Sequence, residues 1–213
     1  MSYRGDPLSV RLRAETRAAH DAAQRSGFLG SLAAGRLPFA AYADLAAQHW
    51  FVYEALELAA SAMADDPVAG PFVAPQLHRL PAIEADLLYL YGRGWEYRIE
   101  ALPATTTYCT RLREAAFAGA PGFIAHHYTR YLGDLSGGQY LGPAIARSYG
   151  LTTHGHRFFV FPGVDPFAFK ARYRQMLDDL NWPRSQERMF LSEVGEAYRL
   201  NIGLLTELKD RWA

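Results

Sequence analysis

An aspartate within a glycine-rich string is the feature of this sequence that most suggests chemistry. The string runs Gly133–Gln139, with Asp134 second, inside a stretch of helical hydrophobic period. Each glycine inside a helix costs about 1 kcal/mol relative to alanine. Gly133 and Gly137 share a helix face and Gly138 widens that bare strip, which predicts a kinked helix whose backbone approaches something flat and large, beside a carboxylate. A helix that ends in a loop before the next helix fits the same string.

A histidine flanked by cations could bind a metal. Arg17 and Arg13 precede His20 by three and seven residues, so all three lie on nearly one face of a predicted helix. Gln24, four residues later, can reach the second ring nitrogen. An imidazole beside two cations suits an anionic cofactor whose metal needs a neutral nitrogen ligand. In a chain with twenty arginines, a solvated helix face explains the same arginines.

A second cationic pair stands near the C-terminus. Lys170 and Arg174 are spaced i, i+4, and Lys170 is one of only two lysines in the chain. Such a pair could hold carboxylates at the mouth of a pocket. Arg172 lies between them on another face, so a basic solvated helix remains the alternative.

Most of the sequence repeats its hydrophobic residues with a period near 3.6, which predicts α-helices. Prolines precede several runs and glycines follow them, as helix termini favour. The predicted helices are Arg11–Gln24, Pro38–Met63, Pro81–Tyr91, Pro103–Gly119, a run from just after Pro121 to Gly150, Pro166–Asn181, and a run from Pro183 almost to the C-terminus. No repeat or linker divides the chain. We therefore expect an all-α, single-domain bundle of about seven helices over residues 1–213, with an ordered core of about 8–208.

The composition excludes several classes of protein. Of 213 residues, 50% are hydrophobic and 21% charged, which excludes a disordered chain. Basic and acidic residues number 22 each, and this balance argues against general nucleic-acid binding. Cys109 is the single cysteine, so no intramolecular disulfide forms and a reducing cytoplasm is expected. A polar N-terminus and the lack of an apolar run of eighteen residues predict neither a signal peptide nor a membrane span.

Taken together, these residues resemble the haem oxygenases, especially the soluble bacterial enzymes. The resemblance extends over about Leu8–Leu208. The segments that carry it are Ala125–Gln139, which is similar to the family's distal-helix signature, then Glu15–His20, Val52–Glu57, the Lys170–Arg174 spacing and Asn201-Ile202.

The resemblance implies a role for each of these positions. His20 would be the axial ligand of the haem iron, and the glycine-rich helix would lie over the opposite face of haem b. Asp134 would hold a water on the oxygen-binding side. The residues implied to extend this hydrogen-bond network or the bare helix face are Tyr53, Arg130, Asn201, Gly133, Gly137 and Gly138.

The resemblance also implies how haem is held and supplied with electrons. Haem would be both cofactor and substrate, opened by dioxygen at a meso carbon to biliverdin, carbon monoxide and ferrous iron. The residues implied around its propionates or its edge are Arg13, Arg17, Tyr128, Lys170, Arg174 and Tyr198. Because the chain has no flavin, nicotinamide or iron–sulfur motif, the electron donor would be a separate ferredoxin or flavoprotein reductase, docking on a basic surface. A monomer is expected, since no spare apolar face is evident.

One position departs from the family pattern. Gln24 stands where the family usually has a glutamate, so the imidazole of His20 would be pushed less towards imidazolate. The departure keeps open a haem-binding, storage or transport protein without turnover, although such a protein needs no water-holding Asp134. A di-iron oxidase would need Glu-x-x-His pairs, and the sequence has none. Of His126 and His127, beside the glycine string, at most one is expected to face inward.

Overall fold

Helices account for the regular structure of this protein. The computed structural model describes residues 5–24 and 27–213, and at positions 20, 23 and 24 it describes the backbone alone. Within these residues there are nine α-helical segments and no strand, so the prediction of an all-α fold is confirmed. The segments are α1 (Leu8–Gln24), α2 (Phe28–Ala33), α3 (Phe39–Ala62), α4 (Leu80–Tyr91), α5 (Pro103–Phe117), α6 (Ala120–His127), α7 (Gln139–Tyr149), α8 (Pro166–Asp178) and α9 (Arg184–Arg211).

Two of these segments belong to one continuous helix. α6 and α7 are joined through π1 (Tyr128–Leu132), Gly133 and π2 (Asp134–Gly138), and we call residues 120–149 the glycine helix. The alternative of a loop at this point is wrong. Counted this way, the described chain has eight helices, of which the sequence predicts seven. The missed one, α2, has six residues, too few to show a period.

Local residue choice explains where several helices begin and end. Prolines occupy the first turn of α4, α5, α6 and α8, where a missing N–H costs nothing. The side chain of Asp165 caps α8 by accepting the backbone N–H groups of Phe167 and Ala168 at 2.8 and 3.1 Å. Gly92 and Gly150 follow α4 and α7 with positive φ of 82° and 66°, which glycine adopts without strain.

The helices pack around α3, which is apolar on nearly all sides and therefore lies centrally. α3 packs against α4 and α5, while α9 packs against α1, α5 and α6. α8 and α9 each contact both α1 and the glycine helix, so they connect the N-terminal helix with the glycine-rich one. Among the described residues, none of the helices combines the length and the apolar character that a membrane crossing requires.

A short segment after the glycine helix is fixed by two buried charged residues, Asp86 in α4 and Arg79 just before α4. Asp86 in α4 accepts the backbone N–H groups of Arg157 and Phe158 at 2.9 and 2.8 Å. Arg79 donates from Nη1 to the carbonyl of Val160 at 2.6 Å. These bonds fix Phe158 and Phe159, both buried, over α3 and the glycine helix.

Packing against Phe159 is expected to require a glycine at position 142. A Cβ added there would lie 2.5 Å from the Cβ of Phe159, whereas one added at Gly137 meets no described atom within 4 Å. We expect Gly142→Ala to lower the free energy of unfolding by about 1–3 kcal/mol through overpacking. Gly137→Ala is the matched control, expected to gain up to about 1 kcal/mol from helix propensity. Urea unfolding of the haem-free variants measures both, and equal effects would contradict the packing argument.

Candidate functional site

The glycine helix presents a bare stretch of backbone. Gly133 has φ −61° and ψ −48°, an ordinary helical conformation, so it is not needed for an unusual dihedral angle. At Gly133 and Gly137, both exposed, an added Cβ would meet no described atom within 4 Å. The missing side chains thus leave open space directly over the helix, where a flat ligand can contact the backbone. π-helical turns are frequent at such functional positions.

Gly138 lies differently from the other two glycines. It is buried, and a Cβ added to it would lie 3.6 Å from Cδ1 of Phe159 and 3.8 Å from Cβ of Asp134. The open strip is therefore formed by Gly133 and Gly137, with Gly138 turned towards the protein.

Asp134 stands beside this strip and is bound by Tyr53 from α3. The buried Tyr53 hydroxyl donates to Oδ2 of Asp134. Burial raises the pKa of Asp134 to about 6, although the Arg130 charge, the Tyr53 hydrogen bond and the Arg79 charge act in the opposite direction. A carboxyl group with this pKa exchanges a proton readily near neutral pH, as a general acid or base must.

Arg130 connects this pair to the last helix. It is buried in π1, its guanidinium carbon lies 4.9 Å from the ring centre of Tyr53, and Nη1 donates to Oδ1 of Asn201 at 2.8 Å. The structure thus brings Asp134, Tyr53, Arg130 and Asn201 together from three helices. The Arg130 charge also opposes protonation of the half-buried Asp134 carboxylate.

Tyr108 in α5 joins this group, although it was not among the predicted site residues. It is fully buried, and burial raises its pKa to about 12, with the Arg130 charge acting against the shift. Neither Tyr108 Oη nor Arg130 Nε has a hydrogen-bond partner among the described residues. Buried polar atoms of this kind are usually satisfied by ordered water. A polar residue at a core position of a predicted helix was the available clue.

A cationic group lies at one end of the strip. Tyr128 in π1 is partly buried, and the charges of Arg174 and Arg13 lower its pKa against the larger, raising effect of burial. Arg13 and Arg174 are exposed and come from α1 and α8, so three helices meet here. Tyr198 in α9 lies close enough to Tyr128 for their charges to interact, and burial raises the pKa of Tyr198. The arrangement can bind carboxylates of a ligand lying on the strip.

The structure places Lys170 against the glycine helix and leaves Arg17 largely exposed to solvent. Lys170 is half-buried, and its Nζ donates to the carbonyl of Leu135 at 3.1 Å and to Oγ of Ser136 at 3.0 Å, both in π2. Arg17 exposes 81% of its side chain, with Nε 4.0 Å from Oδ2 of Asp21. No described contact brings Arg17 to the group around Tyr128. The side chains of His20 and Gln24 lie outside the described residues.

Both histidines beside the glycine string are buried, so the expectation that at most one faces inward is wrong. His126 Nε2 lies 3.0 Å from Oε1 of Glu193, and His127 Nδ1 lies 3.1 Å from Oη of Tyr173. Burial lowers the pKa of His127 to about 3, and the nearby His78 adds to the shift. Neighbouring positions both find buried partners because His126 faces Glu193 in α9 and His127 faces Tyr173 in α8.

Comparison with known proteins identifies the family of this chain. The family model described as Heme oxygenase matches residues 6–207. Heme oxygenase 1 of Nostoc is 35% identical, over 95% of this chain and 86% of that protein, and heme oxygenase 1 of Rattus norvegicus is 34% identical, over 95% and 71%.

Solved structures of heme oxygenases have a fold similar to that of this chain. The crystal structure of heme oxygenase-1 from the cyanobacterium Synechocystis in complex with heme has a TM-score of 0.90 at 33% identity, covering 97% of this chain and 94% of that one. Heme oxygenase from Leptospira interrogans has a TM-score of 0.88 at 34% identity, covering 95% and 100%. By the family model and by these relatives, this chain belongs to the heme oxygenase family.

Proposed function

We propose that this single-domain chain opens haem at a meso carbon, forming biliverdin, carbon monoxide and ferrous iron with dioxygen and external electrons. Membership of the heme oxygenase family over residues 6–207 carries the proposal. The open strip at Gly133 and Gly137, with Asp134 beside it, supports it from the geometry. When bound, haem supplies the iron that activates dioxygen and is itself the molecule oxidised.

The residues present fit such a ligand. Gly133 and Gly137 leave room for a flat ring against the helix backbone. Arg13 and Arg174, with Tyr128 between them, suit the two propionates, which are carboxylates. By the family resemblance we assign His20 as the iron ligand, with Gln24 next to it. Arg17, Lys170, Gly138 and Tyr198 are proposed as further residues around the haem.

Asp134 and the polar residues around it would bind and transfer protons. Tyr53 occupies Oδ2 of Asp134, which leaves Oδ1 to hold a water over the strip. Dioxygen reduction takes up protons, and a carboxyl group with a pKa of about 6 can pass one to that water and regain it. Arg130 and Asn201 would hold the group in place, since their hydrogen bond fixes the guanidinium beside the Tyr53 ring.

Electrons must come from another protein, for which we propose a ferredoxin or a flavoprotein reductase. The exposed Arg13, Arg172 and Arg174 offer a positive surface near the proposed haem edge, which would attract an acidic donor. We further propose a monomeric, cytoplasmic enzyme, in keeping with a single cysteine that is buried and unpaired.

A haemin titration followed by reductant and oxygen tests the proposal. We expect a one-to-one complex whose Soret absorbance decays into a biliverdin spectrum, with release of carbon monoxide. A Soret band that persists under reductant and oxygen would instead indicate binding without turnover. A lack of haem binding would overturn the proposal altogether.

The amide at position 24 is expected to weaken the bond between His20 and the iron. In Gln24→Glu, a carboxylate would accept the imidazole N–H more strongly and make the ligand nitrogen a better donor. Resonance Raman spectra of the ferrous complex should then show a higher iron–histidine stretching frequency than in the wild type. An unchanged frequency would mean that residue 24 does not contact the imidazole.

A further inference from the structure

The N-terminal end of α1 is fixed by a carboxylate from another helix. Asp178, the last residue of α8, accepts the backbone N–H of Ser9 at Oδ1 and the Ser9 hydroxyl at Oδ2, both at 2.8 Å. The Ser9 N–H belongs to the first turn of α1, where backbone N–H groups have no partner within the helix. Asp178 therefore acts on α1 as a capping residue does, although it lies 169 residues away.

A second carboxylate holds α1 from a different side. Glu187 in α9 accepts from Nη1 of Arg11 at 2.8 Å, and the two side chains are largely buried, with 21% and 25% exposed. Ser9 and Arg11 are two residues apart, or about 200° around a helix, so they point in nearly opposite directions. The two contacts together fix how far α1 lies along α8 and how it is rotated. We call Ser9, Arg11, Asp178 and Glu187 the α1 clamp.

The α1 clamp lies one helical turn from two of the residues proposed for the haem propionates. Arg13 follows Ser9 by four residues and so lies on the same face of α1. Arg174 precedes Asp178 by four residues and lies on the same face of α8. The charges of both arginines act on the Tyr128 hydroxyl. α1 and α8 therefore pass each other in opposite chain directions, and the clamp sets which of their turns face each other.

Bringing these two arginines together costs free energy before a ligand arrives. Arg13 and Arg174 are exposed, and no described carboxylate forms an ion pair with either of them. Like charges repel, so the repulsion favours any arrangement of α1 and α8 that moves the two guanidinium groups apart. A slip of one helical turn would move Arg13 by about 5.4 Å along α8. The α1 clamp opposes such a slip.

We propose that Asp178 and Glu187 are positioning residues, which hold α1 so that Arg13 and Arg174 form a preformed site for two carboxylates. The proposal rests on the proposed function, because it takes these carboxylates to be the haem propionates. The clamp residues act through the two arginines and do not touch the ligand. A site held ready in this way loses less conformational entropy on binding, and it favours a dicarboxylate over an uncharged analogue.

Two iron-free porphyrins test this role. Protoporphyrin IX carries the two carboxylates of haem, whereas its dimethyl ester has the same ring without the charges, and iron ligation contributes to neither. We expect the wild type to bind the free acid more tightly than the ester. Asp178→Ala removes two hydrogen bonds of α1, so it should weaken binding of the free acid by about fivefold or more and of the ester by less than about twofold. Fluorescence titration of the full chain measures both affinities.

The sign of this change separates positioning from simple charge. Loss of the Asp178 carboxylate leaves the arginines in more positive surroundings, which by itself would tighten carboxylate binding. Asp179→Ala is the matched control, because Asp179 is the next residue, is exposed and accepts from Nε2 of Gln175 at 2.9 Å within its own segment. The control should bind the free acid as tightly as the wild type or slightly more tightly. Asp178→Asn keeps an acceptor for the Ser9 N–H and should recover most of the lost affinity.

The second contact of the clamp should behave in the same way. Glu187→Ala is expected to weaken binding of the free acid more than binding of the ester, and Glu187→Gln, which keeps an acceptor for Arg11, should restore it. Hydrogen exchange in the porphyrin-free protein measures the clamp directly. The amides of residues 9–13 should exchange at least about threefold faster in Asp178→Ala than in the wild type or in Asp179→Ala.

The outcomes distinguish failure of the clamp from failure of the proposed function. Equal losses of affinity for the two porphyrins in Asp178→Ala would mean that the clamp only supports the fold, and would overturn the proposal. A wild-type preference for the free acid that Asp178→Ala retains would overturn it as well, while leaving the proposed function intact. A wild type that binds neither porphyrin nor haemin would overturn the proposed function, and the role of the clamp with it.

Discussion

Replacing Asp134 with alanine is expected to slow biliverdin formation by about 100-fold or more, the loss typical of a missing general acid or base. The carboxyl group is bound by Tyr53 at Oδ2, and burial raises its pKa to about 6, so it can exchange protons at neutral pH. Without it, no other carboxylate of the described group around Tyr53, Arg130 and Asn201 can hold a water at that place. Single-turnover absorbance with a fixed reductant measures the rate.

Haem affinity serves as the internal control for this prediction. Asp134 is not one of the residues assigned to bind the propionates, so titration of Asp134→Ala should give the wild-type haem affinity. In this variant the reduced oxygen should leave as hydrogen peroxide. Asp134→Asn keeps the shape of the side chain but cannot release a proton, and it should lose activity to a similar degree. An asparagine variant that retains the wild-type rate would show that proton transfer at this position is not required.

The helices could be predicted from the sequence because their signals are local. Prolines at first turns, glycines after last turns and a 3.6-residue period predicted seven of the eight helices found in the described part of the chain. The π-helical turns in the glycine helix could not be predicted, since nothing in the hydrophobic period distinguishes them from α-helical turns. α2 was not predicted because its six residues are too few to show a hydrophobic period.

Residue spacing predicts the site only where one helix carries it, whereas the grouping of Tyr53 and Asn201 with Asp134 was implied by the family resemblance. Asp134, Gly133 and Gly137 occur in one string, and their common helix face follows from their spacing. The contact of Asp134 with Tyr53, 81 residues away, depends on how α3 packs, which spacing does not reveal. Arg13 and Arg17 look equivalent in the sequence, yet the structure places Arg13 near Tyr128 and leaves Arg17 81% exposed.

Packing neighbours also decide what each glycine does. Gly138 and Gly142 both face Phe159, a residue that arrives from a later segment held by Asp86 and Arg79. The spacing predicted that Gly138 widens the bare strip, and the packing of Gly142 was not predicted. The difference arises from tertiary contacts, as does the buried position of His126 against Glu193.

Asp134→Asn is expected to stabilise the haem-free protein at neutral pH, by about 1–3 kcal/mol, because a site built for proton transfer holds a carboxylate in surroundings that disfavour its charge. The folded-state pKa of about 6 exceeds the ordinary value of 3.8, so the native state binds more protons than the unfolded state between these values. The wild type therefore loses stability as pH rises from about 4 to 6, and this loss is complete above about pH 7.

The asparagine variant does not titrate at position 134, so it does not lose this stability. Its advantage, the amount by which its free energy of unfolding exceeds that of the wild type, should grow across the same pH range and then stay constant. Urea unfolding at pH 4.5, 6 and 7.5 measures the advantage, with the exposed Asp65→Asn as a matched control that should show no such trend. An advantage independent of pH would mean that the pKa of Asp134 is not raised, and that the carboxylate is held without strain by Tyr53 and Arg130. Because the same raised pKa is proposed to serve catalysis, the stability gain and the loss of activity should appear together in this one variant.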